Sequence, residues 1–178
     1  MATEAVYGIE TLKLMPSVKG DFPDFGASSF VVRAIVKDSF SYNDTAPTEN
    51  NVEIEDSDEY FATIFTDNGK HGFTLQTYDM GEEAYKYFMG YTKNETSGYM
   101  EEPKSFTLTD QAVQITTKKL GDFPAKVFEW ARMSVKVSRT GTIGKSGFPN
   151  FQLEFTKLGN FDSDGEEVCG ARWKEVEE

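Results

Sequence analysis

The strongest constraint on the fold is the run KVFEWARMSVKVSR at 126–139, which alternates apolar and polar residues with period two and then changes phase. Phe128 and Trp130 occupy even positions, whereas Ala131, Met133, Val135 and Val137 occupy odd ones. Successive side chains of a strand point to opposite faces, so both halves can face one core only if an extra residue intervenes. The sequence therefore predicts a long strand with a β-bulge or sharp bend near Trp130.

Other segments carry the same period. FQLEFTKL at 151–158 places Phe151, Leu153 and Phe155 on one face, and QAVQITTKK at 111–119 alternates through Val113 and Ile115. KSFTLT at 104–109 and GIETLKLMPSV at 8–18 read as strands, the latter ending near Pro16, whose missing N–H breaks a ladder. SFVVRAIVKDSFSY at 29–42 is apolar on both faces, which predicts a central strand or one covered by a neighbouring subunit. YFATIFT at 60–66 and HGFTLQTY at 71–78 read as a hairpin turned by Asp67-Asn68-Gly69-Lys70. Val52 and Ile54 alternate in a short strand, and a last strand is expected around 167–173 after the turn Asp164-Gly165.

One helix is expected over EEAYKYFMG at 82–90, with Ala84, Tyr85, Phe88 and Met89 in one apolar stripe. Asp79 and Glu82 suggest a capping box, and Gly90 a stop. The expected fold is mainly β, a sandwich or half-barrel of about eight strands with one short helix. A single domain would span 1–178, with loop arms at about 43–58 and 91–103.

Composition argues against most chemistry. His71 is the only histidine and Cys169 the only cysteine, so triads, di-histidine metal sites, thiolate clusters and intrachain disulfides lack their parts. No catalytic residue, metal or cofactor is assigned, and the chain is not expected to be an enzyme. A two-carboxylate hydrolase needs only acids, yet no spacing singles out a pair. Asp162-Ser163-Asp164-Gly165-Glu166 starts like a calcium loop, but its glycine comes fourth and the flanking helices are missing. The loop 141–147 contains Gly-Lys-Ser, although Arg139 stands where a phosphate loop needs its first glycine. The tetrapeptide Gly-Asp-Phe-Pro occurs at 20–23 and again at 121–124, which reads as loop punctuation.

The 30 acidic residues against 18 basic ones leave a formal charge of −12, which disfavours general binding to phosphate backbones or anionic lipid. No apolar run is long enough to span a membrane, and the first residues lack a secretion signal, so a reducing cytosol is the expected site of synthesis. The charge is uneven. Glu53, Glu55, Asp56 and Asp58 cluster early, while Arg132, Lys136, Arg139 and Lys145 put base on the late strands. Opposed patches on one chain suit head-to-tail self-association, so these residues are the candidate subunit interface.

The order of elements, with NVEIEDSDEYFATIFTDNG at 51–69, EEAYKYFMGYT at 82–92, QAVQITTKKL at 111–120 and FEWARMSVKVSRTGTIGKSG at 128–147, resembles the tail tube (major tail) proteins of long-tailed bacteriophages and the related inner-tube proteins of injection machines. The resemblance implies a hexameric ring that stacks into a tube, built in the host cytoplasm and kept in the virion tail. Its partners would be other copies and other tail proteins, and DNA would pass through an acidic lumen without specific binding. On this pattern Thr74, Gln76, Gln114 and Thr116 are lumen candidates, and the two arms would contact adjacent rings. Ring closure would also cover the free sheet edges. Two alternatives are another virion structural protein, such as a tail terminator or decoration protein, and a carbohydrate-binding sandwich that uses Trp130, Trp173 and tyrosines as a stacking platform.

Overall fold

A computed structural model describes residues 6–53, 55, 62–67, 69–145 and 147–176. In chain order its elements are β1 (Tyr7–Pro16), β2 (Phe30–Val32), β3 (Ser41–Tyr42), β4 (Glu49–Val52), β5 (Ala62–Phe65), β6 (Gly72–Thr77), α1 (Glu82–Met89), β7 (Thr92–Lys93), β8 (Met100–Glu101), β9 (Gln111–Lys118), β10 (Lys126–Thr140), β11 (Asn150–Lys157) and β12 (Ala171–Glu175). The protein is mainly β with one short helix, as the alternating runs predict.

The main sheet is antiparallel with the order β2-β1-β9-β10-β11-β6-β3, and β12 pairs with β10. Its two ends belong to one stretch of chain. Residues 30–32 pair with β1, and a few residues on Ile35 bridges Thr77 before Ser41 and Tyr42 pair with β6. The Val36 amide donates to the Gln76 carbonyl at 2.8 Å and the Tyr78 amide to the Ala34 carbonyl at 3.0 Å. Segment 30–42 thus closes the sheet on itself as a barrel.

This corrects two expectations. The segment is not one central strand: it is broken by Ala34 (φ 49°) and Asp38 (φ 58°), and it spans two borders of the sheet. Apolar residues appear on both of its faces because the chain turns over between them. At the β1 and β6 borders, moreover, edge protection does not wait for neighbouring copies, because segment 30–42 supplies it.

The bulge lies where the phase change requires it. Trp130 pairs with Val113 and Met133 with Gln111, so one extra residue is taken up on β10. Phe128 and Trp130 therefore share the inner face with Met133, Val135 and Val137, whose partners on β11 are Lys157, Phe155 and Leu153. Fully buried Leu12, Leu14, Val113, Phe73, Leu75, Met133, Phe151, Leu153 and Phe155 fill the interior. The rings of Phe73 and Phe155 stack at 4.6 Å, and Trp130 leans on Phe73 at 5.2 Å.

Helix α1 is anchored on this interior by Ala84 and Phe88, with Phe88 packed on Phe30 at 5.2 Å and on Phe151 at 5.7 Å. Gly90 ends it in the left-handed region. The expected capping box is absent: Gly81 is the N-cap, Asp79 accepts from the Gly81 amide at 3.2 Å, and Glu82 pairs with Lys93 at 2.9 Å. Glu82 and Glu83 still complement the positive end of the helix dipole.

Two further expectations are revised. Residues 104–109 form no strand; Phe106 lies against Gly90, and a buried Gln111 side chain donates to the Thr109 carbonyl at 2.8 Å. The last strand sits slightly later, at Ala171–Glu175. The two Gly-Asp-Phe-Pro copies make different turns, with bridges Val18↔Asp21 and Leu120↔Phe123.

The largest revision concerns 60–78. β5 does not fold back on β6; it pairs with β4 in the register Glu49↔Phe65 to Val52↔Ala62. From Ser41↔Thr74 through Thr45↔Lys70 to Val52↔Ala62, the two chain stretches form one long arm whose tip falls in 53–61, mostly outside the described residues. Between the pairs Glu49↔Phe65 and Thr45↔Lys70 the register shifts by one residue, so Asp67 and Gly69 lie along this arm and not at its turn; Asn68 of the expected turn is outside the described residues. A Gly at positive φ serves a bulge as well as a hairpin turn, and sequence alone does not separate the two.

Candidate assembly surfaces

The arm is held at its root by acid side chains bound to backbone. Asp67 accepts from the Thr48 hydroxyl at 2.7 Å, the Gly69 amide at 2.8 Å and the Thr48 amide at 3.1 Å, which holds its carboxyl below the usual range. Asp44 accepts from the Gly72 amide at 2.9 Å and lies 3.5 Å from the His71 ring, and its carboxyl is likewise lowered, chiefly by that amide. Gly69 is required here: its φ is +71°, and a Cβ would come within 2.2 Å of the Thr45 carbonyl oxygen.

Beyond this root the arm is bare. Glu49, Asn50, Asn51, Thr63, Ile64 and Phe65 are all exposed, with Ile64 at 53% and Phe65 at 60%. A two-stranded ribbon is marginal in water without a further layer. Exposed apolar residues on such a ribbon make it a candidate interaction surface. The sequence offered Ile64 and Phe65 as sheet strand material, so their exposure was not expected.

Of the acidic interface candidates, Glu53 and Glu55 are exposed near the tip, and Asp56 and Asp58 lie outside the described residues. The basic candidates divide. Arg132 is engaged internally, with its guanidinium 2.7 Å from Asp110 and donating to the Gly159 carbonyl at 3.3 Å. Lys136 has 75% of its side chain exposed and only a loose approach to Glu154, at 3.9 Å. Arg139 and Lys145 are exposed.

The lumen candidates occupy outward positions on strands separated in the sheet. Thr74 and Gln76 pair with Glu154 and Gln152 on β11. Gln114 and Thr116 lie on β9, where Gln114 donates to Glu129 at 2.7 Å and Glu129 accepts from Arg172 at 2.5 Å. Close by, Lys13, the register partner of Gln114, donates to the carbonyl of buried Phe25, so the 20–27 loop folds over this part of the outer face. Arg172 also stacks on Phe22 at 4.0 Å.

Among the described residues two strand borders stay open. β12 pairs with β10 alone, and its residues are all exposed. Residues 134–140 of β10 pair only with β11, because β9 has ended opposite Met133. Beside that second border runs a cleft of about 330 Å³, with Phe88, Met89, Phe106, Leu108, Val135 and Val137 on its apolar side and residues 102–105, including Glu102 and Lys104, on its polar side. Nothing in the sequence flagged this border, since it exists only where β9 stops short of a longer β10.

As a stacking platform the tryptophans do not converge. Trp130 packs into the interior, whereas Trp173, 57% exposed, sits over Phe128 with the Lys126 ammonium 4.7 Å from its ring. Among the described residues no three His, Cys, Asp or Glu side chains are grouped to hold a metal ion, and no helix is long and apolar enough to cross a membrane. The sequence matches no protein-family profile and no curated protein.

Proposed function

We propose that this chain is a self-assembling structural subunit of the tail-tube type, forming hexameric rings that stack into a conduit for DNA. One observation carries the reading: a long acidic arm with exposed Ile64 and Phe65 extends from a barrel that has already closed its own sheet. A chain that needs no neighbour to complete its core still presents a ribbon lacking a second layer, and another copy supplies it. The outer faces of β6 and β11, rich in Thr, Gln and Glu, suit a wall that a hydrated polyanion passes without sticking.

In this role the arm contacts an adjacent ring, while open strand borders join copies side by side. Negative-stain microscopy of the concentrated protein tests the reading. Annuli or filaments are expected. A strictly monomeric species in light scattering across a wide concentration range overturns it. Discrete oligomers without tube growth would instead favour a terminator or decoration role.

A further inference from the structure

We propose that the open border of β10 at 134–140 is the docking slot for the β4 strand of a second copy, which adds to the sheet edge to edge. The inference rests on the self-assembly reading above and names the segments that meet.

Backbone chemistry comes first. On the side once taken by β9, no backbone hydrogen bond joins 134–140 to the neighbouring 102–109 segment, so this border offers free donors and acceptors to an incoming strand. Among the described residues β4 pairs only with β5, so its other border carries no strand.

Side-chain alternation selects the match. On β10, Val135 and Val137 face the apolar side of the cleft against α1, while Ser134, Lys136 and Ser138 face outward. On β4, Val52 shares a face with Asn50, and Glu49 and Asn51 take the opposite one; Glu53 directly follows the strand. An added strand keeps this alternation. Val52 then enters the cleft near Val135 and Val137, and Glu49 or Glu53 comes beside Lys136.

The charges agree. Lys136 and Arg139 lie on the slot, Glu49 lies on the strand that fills it, and Glu53 and Glu55 follow just past the end of that strand. Opposite charges on facing strands favour the pairing, whereas β4 against β4 would set acid against acid. β12, the other open border, is the poorer slot: its Arg172 is already bound to Glu129, and Glu175 approaches Lys126 at 3.8 Å.

The test uses the full chain with Cys169→Ser as background. Lys136→Glu and Glu53→Lys should each weaken assembly by about tenfold or more, and mixing the two reversed proteins should restore it through the opposite contact. Independently, Glu53→Cys protein is mixed with Lys136→Cys protein under mild oxidation, with Lys19→Cys as the comparison site. A mixed disulfide that favours position 136 over position 19 is expected, because facing strand residues lie within disulfide reach. Equal capture at both sites, or no rescue on mixing, overturns the slot. Rings seen by microscopy without position-136 capture would leave the tube reading intact and remove only this contact. Position-136 capture without rings or tubes would keep the contact and remove the tube.

Discussion

At the scale of single residues, Gly69 carries more structural consequence than any acid of the arm. Its left-handed backbone alone costs a substituted L-residue about 1–2 kcal/mol. Gly69→Ala also drives a methyl into the Thr45 carbonyl. The expected outcome is local: amides of Thr45, Thr48 and Thr66 exchange at least about tenfold faster, while those of β11 keep their protection. Asp44 and Asp67 make the same root sensitive to acid. Both carboxyls titrate lower in the folded chain than in the unfolded one, so the folded form binds fewer protons. Their stabilisation is complete above the unfolded value near about 4 and is lost as pH falls through the folded values. Amide resonances of Thr48 and Gly69 followed through an acid titration should show the root loosening below about pH 4 before the barrel changes. Simultaneous loss of arm and barrel signals would contradict this order.

At the scale of elements, the arm and the barrel are separable by design of their contacts. Among the described residues the arm joins the barrel at its root, through the ladder at Ser41, Tyr42 and Asn43 and the Lys157 amide donating to the His71 carbonyl, whereas the interior is built by β1, β6, β9, β10, β11 and α1. Replacing 47–66 with a short Gly-Ser link should leave cooperative thermal unfolding of the barrel nearly unchanged. The same variant should lose ring and tube formation. Retained assembly in sedimentation would show that the arm is dispensable. Legibility in the sequence followed the same division. β1, β9, β10 and β11 were read almost to their ends, because each buries one face in a common core and period two records that burial. The 104–109 segment was misread because its Thr and Phe content favours strand although no ladder partner is available.

At the scale of the whole molecule, closure decides which surfaces remain for other copies. Once 30–42 bridges β1 and β6, the remaining one-sided strands of the main sheet include β12 and the second half of β10. The proposed assembly would then depend on few places: an acidic arm, a border flanked by Lys136, and the exposed ring of Trp173. Pairing between acid and base at such a border should weaken as salt screens it, which the reversed-charge proteins would register as a reduced rescue at high ionic strength.

What the amino-acid order alone determined was local and periodic: the β class, the bulge after Trp130, the inward set Phe151, Leu153 and Phe155, the extent of α1 and its stop at Gly90. These are legible because side-chain alternation and backbone preference act over a few neighbouring residues. Only the tertiary structure decided who pairs with whom: that 30–42 joins both ends of one sheet, that β5 takes β4 over β6, and that 134–140 is left with a free side. Strand partners are chosen by backbone hydrogen bonds and buried area between distant segments, and those bonds look the same from every strand before the chain has folded.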